Sequence, residues 1–227
     1  MVYFINHYLG QFPTLIYNLT QFGDASIFLS FIIILIIYVP KLWESLLSAL
    51  VLSLVFSRLL KDIFLVPRPA EILNHDSFII IGKTLHGFSS LPSGHSITVF
   101  TILTILLFAF MPKTLGYKIA WVFLFITLGL LLVITRVGIG AHFPLDVING
   151  SIVGYLCGIS GIFISRKYKI CCWVNEKKYY LLFVVAIIFC SISLLIKISN
   201  DNLFVYYLAL ISLILSLYKF IYVYFKK

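Results

Sequence analysis

Three short segments put ionisable residues at the edges of long apolar runs: Lys61 to Arg68-Pro69, Pro92-Ser93-Gly94-His95, and Arg136 through His142 to Asp146. Charge at membrane depth is costly enough that such residues are functional candidates by default. In the first segment Lys61 and Arg68 are cations about two helical turns apart, with Pro67 and Pro69 ending the helix between them. Snorkelling would account for either cation alone. Arg58 has Asp62 four residues on, so it is assigned to that pair and left out of the site. In the second segment Pro92 and Ser93 mark a helix start, where serine caps and proline suits the first turn. The backbone N–H groups of such a start bind anions, and Gly94 lets a phosphate come close to the backbone. His95 could then pass a proton to that anion or to its leaving group. In the third segment Arg136 ends an apolar run, and His142 follows through a turn carrying Gly138 and Gly140. Asp146 falls in the first turn of the helix opened by Pro144. A carboxylate there can accept one imidazole N–H and fix the tautomer, leaving the other nitrogen as a nucleophile. The helix dipole alone would also favour an acid at that position.

The elements that must carry these residues follow from composition. Of 227 residues 62% are hydrophobic and 11% charged, which excludes a water-soluble globule. The apolar residues arrive in runs long enough for a bilayer, so the chain reads as an all-α polytopic transmembrane bundle of about six to seven spans. The expected spans are 25–40, 42–66, 93–111, 118–136, 144–164, 179–196 and 203–224. Ahead of them, residues 1–22 alternate apolar and polar faces at helical spacing and read as one amphipathic helix lying in the interface. A core bundle over 25–165 with an outer loop 67–92, a cytoplasmic loop 166–178 and two C-terminal spans over 179–227 complete the expected organisation. No cleavable signal peptide is visible, so the N-terminus is expected to be retained.

A net charge of +9 could suggest nucleic acid, but Lys and Arg sit at the ends of apolar runs and not in a stripe, so nucleic acid is excluded as a partner. One side of the layout collects eleven basic residues against Glu44 and Glu176, and the other holds six against six acids. The positive-inside rule makes the first side cytoplasmic and puts all three charged segments outside. Cys157, Cys171, Cys172 and Cys190 have no metal spacing and imply neither a zinc site nor a disulfide framework.

The segments K-x6-R-P (Lys61 to Pro69), P-S-G-H (Pro92 to His95) and R-x5-H-x3-D (Arg136, His142, Asp146) resemble, in order and spacing, the three-part signature of the type 2 phosphatidic acid phosphatase superfamily. The resemblance runs from about residue 42 to 165. It implies that Lys61, Arg68, Ser93, Gly94 and Arg136 hold a phosphate, that His142 attacks phosphorus, that Asp146 orients it, and that His95 protonates the leaving oxygen. It also implies no metal and no cofactor. One departure is Thr135, where relatives often have serine, and it keeps the hydroxyl. The physical reading agrees, because three fixed cations and backbone donors are what a phosphoryl transition state requires.

A pocket at the outer ends of transmembrane helices points to a lipid whose tail stays in the bilayer: a phospholipid such as phosphatidylglycerol phosphate, lipid A or a polyprenyl phosphate such as undecaprenyl diphosphate. The expected location is a bacterial inner (plasma) membrane with the site facing the periplasm or exterior. A non-enzymatic lipid or anion transporter is the alternative, and it would need polar residues along a path across several spans. A vanadium-dependent haloperoxidase shares the pocket type, but relatives with that chemistry are soluble. Lys83, in the outer loop, could meet a second phosphate or a sugar-linked one.

Overall fold

The computed structural model describes residues 1–73, 78–168, 170, 173 and 176–225, and among them every regular element is helical. In chain order these are α1 (Val2–Gly10), α2 (Pro13–Thr20), a short 3-10 turn (Gln21–Gly23), α3 (Ala25–Ile32), α4 (Leu35–Tyr38), α5 (Pro40–Phe64) and α6 (Pro69–Ile72). There follow α7 (Gly94–Ala109), α8 (Leu115–Gly138), α9 (Pro144–Tyr168), a 3-10 turn (Lys177–Tyr179), α10 (Tyr180–Asp201) and α11 (Phe204–Phe225). Part of the outer loop (74–77), Cys171 and Cys172 lie outside the described residues.

Two expectations change. The N-terminal segment is two helices, because Pro13, with no N–H to give, starts a new one after Phe12. Asn6, one of the polar residues of that segment, is buried and does not face solvent. Its amide donates to Ile79 O at 2.8 Å and Gly138 O at 3.0 Å, and its oxygen accepts from Ile79 N at 2.8 Å. The segment is therefore docked onto the end of α8 and the outer loop. The second change is the first expected span, 25–40, which breaks into α3 and α4. Ile36 N and Ile37 N reach back only three residues, to Ile33 O and Ile34 O. The β-branched run Ile32-Ile33-Ile34 has low helix propensity, which lowers the cost of that tighter turn.

Among the described residues four helices are long and apolar enough to cross a bilayer: α8, α9, α10 and α11. At 16 residues α7 spans about 24 Å, short of the roughly 30 Å of a hydrocarbon core. Exposed side chains such as Phe123 and Leu131 on α8 and Phe189 on α10 give these helices an apolar outer face suited to lipid.

The centre of the bundle is α9 packed on α7 and α5, and glycine makes that contact possible. A Cβ at Gly150 would stand 2.6 Å from Ser93 O, and one at Gly158 would stand 2.7 Å from Thr104 Cβ; Gly154 would strike Ile97 O and Gly161 would strike Ala49. Four glycines on one face let backbone meet backbone, as small-residue motifs do in membranes. Leu46, Ala49, Val99, Ile102 and Ile105 fill the rest of that core.

Candidate active site

The antiparallel order brings four helix ends together at one end of the bundle: the C-termini of α5 and α8 and the N-termini of α7 and α9. All eight residues singled out in the sequence stand on or beside these ends. Ser93 caps α7 by accepting from Ser96 N, and its own N–H donates to Asp146 O at 3.0 Å, which ties the two helix starts together. Lys61, on the last turn of α5, sits above Gly94. A Cβ at Gly94 would lie 3.5 Å from both the Lys61 Nζ and Ser57 Oγ, so the missing side chain leaves the helix start open beneath an ammonium group.

Arg68 is buried although it lies in a loop. Its N–H donates to Gly87 O at 3.0 Å, and its guanidinium donates to Ala141 O at 3.2 Å and to Ser89 Oγ at 3.3 Å. Burial holds the Arg68 guanidinium below its ordinary value, with the Asp146 carboxylate pulling the other way. Glu71 fastens the same loop, its carboxylate accepting from Gly87 N at 2.8 Å and pairing with His86 Nδ1 at 3.0 Å. Those contacts hold the Glu71 carboxyl below the usual range, the Gly87 N–H first among them. Arg136, in the last turn of α8, is 5% exposed; one Nη donates to Thr20 Oγ1 at 3.2 Å, and its Nε–H has no acceptor among the described residues. Lys61, Arg68 and Arg136 lie within electrostatic range of one another.

His142 is 2% exposed. Gly140, at φ 78°, turns the chain just ahead of it, where a Cβ would meet Ile79 O at 2.7 Å. Its Nδ1 faces Asp146 Oδ2 at 3.6 Å and Ser90 Oγ at 3.5 Å. That is an ion-pair separation, longer than the hydrogen bond expected from the sequence. The reason is that Asp146 Oδ2 already accepts from Ser90 Oγ at 2.6 Å and from Phe143 N at 2.9 Å. Burial, opposed by Asp146 and reinforced by Arg136 and Arg68, holds the His142 imidazole below its ordinary value, so the ring is neutral at pH 7. His95 lies one residue into α7, in electrostatic range of Arg136, His142 and Lys61, with Gly23 pressed against its ring.

Ser90, Ser89, Thr20, Gly23 and Asn6 also shape the site and carry no chemical signature in the sequence. Among the described residues Arg58 forms no ion pair with Asp62, so that pairing fails. No three His, Cys, Asp or Glu of the described residues are grouped as a metal would require.

The sequence profile of the PAP2 superfamily matches residues 42–170. A lipid A 1-phosphatase of Rhizobium etli is 34% identical over 119 residues, which is 52% of this chain and 48% of that protein. The chain thus spans about half the length of that curated relative. The crystal structure of Aquifex aeolicus LpxE superposes with a TM-score of 0.58 at 30% identity, covering 71% of this chain and 92% of that one. The matched stretch holds all three signature segments and the four helix ends that gather them, and the chain belongs to the PAP2 superfamily.

Proposed function

We propose that the protein is a lipid phosphatase of the bacterial inner membrane, hydrolysing a phosphate monoester or diphosphate of an outer-leaflet lipid through a phosphohistidine and without a metal. The observation that carries this reading is the buried Arg136 guanidinium, whose Nε–H is unpartnered among the described residues, in electrostatic range of Arg68, Lys61 and His95 at the start of α7. A buried donor on a charged group is costly unless an anion meets it. Three cations and the α7 amides stabilise the charge that grows on the equatorial oxygens during transfer. Neutral His142 attacks phosphorus through Nε2, while its Nδ1 side faces Asp146, which supports the positive ring as the phosphorus–nitrogen bond forms. The bond from phosphorus to the lipid oxygen breaks as His95 gives that oxygen a proton. Water then hydrolyses the phosphohistidine, His95 taking the proton back.

The name of the Rhizobium etli relative favours a lipid A phosphate, with undecaprenyl diphosphate and phosphatidylglycerol phosphate as the other candidates. Phosphate release from these three lipids in detergent tests the reading. Release from at least one of them that persists in excess chelator is expected. No release from any, or loss that Mg²⁺ or Zn²⁺ restores, would overturn it.

A further inference from the structure

The 3-10 turn and the end of α2 lie outside the stretch that matches the family, as do α10 and α11, yet two of the candidate residues depend on them. Thr20, 1% exposed, accepts a hydrogen bond from Arg136 Nη1 through its hydroxyl. Gly23, three residues on, lies so close to His95 that any Cβ would collide with its ring. The turn is braced from behind by the C-terminal hairpin. Lys197 Nζ of α10 donates to Asp24 Oδ2 at 2.6 Å, and Val205 N of α11 donates to Asn18 Oδ1 at 2.9 Å. Ser212 Oγ donates to Ser30 O at 2.9 Å, and the Tyr17 hydroxyl faces Asp201 at the end of α10.

We propose that Thr20 is a positioning residue that aims the Arg136 guanidinium at the phosphate, and that the α10–α11 hairpin is the brace that keeps Thr20 in place. The inference rests on the phosphatase reading. An arginine side chain has several rotatable bonds, and a planar fork is useful to an anion only in one plane. Anchoring one Nη to Thr20 fixes that plane before substrate arrives, and leaves Nε–H as a free donor. A pocket organised in advance loses less entropy on binding and at the transition state. The brace also gives α10 and α11 a part in the chemistry although they carry none of its residues.

The test uses the full chain in detergent, with orthovanadate as the pocket probe, its binding measured by calorimetry, and an aryl phosphate as substrate. Thr20→Val keeps the shape and removes the hydroxyl. It should weaken vanadate binding and lower kcat/KM about tenfold, the scale of a hydrogen bond to a charged group. Thr20→Ser should stay within about twofold of wild type, and Lys197→Met should move vanadate binding the same way by about threefold. In an Arg136→Lys background, which cannot form the same bond, Thr20→Val should add nothing. Unchanged vanadate binding in Thr20→Val, or Thr20→Ser as damaging as Thr20→Val, would overturn the role of Thr20; unchanged binding in Lys197→Met would overturn the brace. Because vanadate reads the pocket whether or not lipid is turned over, an inactive wild-type protein would overturn the phosphatase reading alone.

Discussion

His142 and His95 differ in their surroundings, and the difference predicts separable phenotypes. His142 is enclosed and faces Asp146, whereas His95 is half-buried at the start of α7 beneath Gly23. His142→Ala should abolish turnover, by 10⁴-fold or more in order of magnitude, and leave no phosphoprotein in acid-quench trapping. His95→Ala should slow lipid substrates by roughly 10²- to 10⁴-fold and an activated aryl phosphate far less, since that leaving group needs little protonation. Equal loss on both substrates would remove His95 from the role of acid. The pH profile reports on His142 itself. Its neutral form attacks, and its environment lowers its pKa from the ordinary 6.5, so the acid limb of kcat/KM should lie below pH 6.5. Asp146 is a raising influence on that ring, so Asp146→Asn should move the limb further down while lowering the maximum rate. The substrate's own ionisation is common to both proteins and drops out of the comparison; a limb that moved up would contradict the pairing.

Among the elements, α9 presents a face with no room for added side chains. Gly154 meets Ile97 O with no room for a Cβ, so Gly154→Leu should destabilise the folded protein by ~3 kcal/mol, read as a lowered unfolding midpoint in detergent. Leu156→Ala, on the exposed side of the same helix, should leave it nearly unchanged. This packing face was partly legible: the spacing of Gly150, Gly154, Gly158 and Gly161 stands in the sequence, but a count of apolar residues gives glycine no weight. The signature segments were legible because the members of each lie close together along the chain, as Arg136, His142 and Asp146 do. Thr20 and Asn6 were not, because their partners lie far along the chain, 116 residues for Thr20 and 73 to 132 for Asn6, and no spacing encodes that. The break between α3 and α4 was missed because hydrophobicity alone does not distinguish a β-branched run from a good helix former.

At the scale of the whole molecule, the gathering of the four helix ends fixes one testable geometry. Phe88, exposed in the outer loop, and Lys113, in the turn between α7 and α8, lie at opposite ends of the bundle. In the proposed orientation, which rests on the distribution of basic residues, the Lys113 end is the cytoplasmic one. A cysteine at 88 should therefore react with an impermeant maleimide added to intact cells, and one at 113 only after permeabilisation. The reverse pattern would invert the orientation and put the pocket in the wrong leaflet.

The backbone-to-backbone seam between α9 and its neighbours has a mechanical consequence. Helices that meet through long side chains can slide and tilt separately when a bilayer thins or thickens, each adjusting to its own mismatch. The glycine contacts along α9 leave little side chain between it and α5 or α7 to deform, so the three should tilt as one block, carrying Lys61, Ser93, Gly94 and Asp146 with them. Lipid thickness then changes the height at which the pocket meets the headgroup layer while the distances among these groups stay constant.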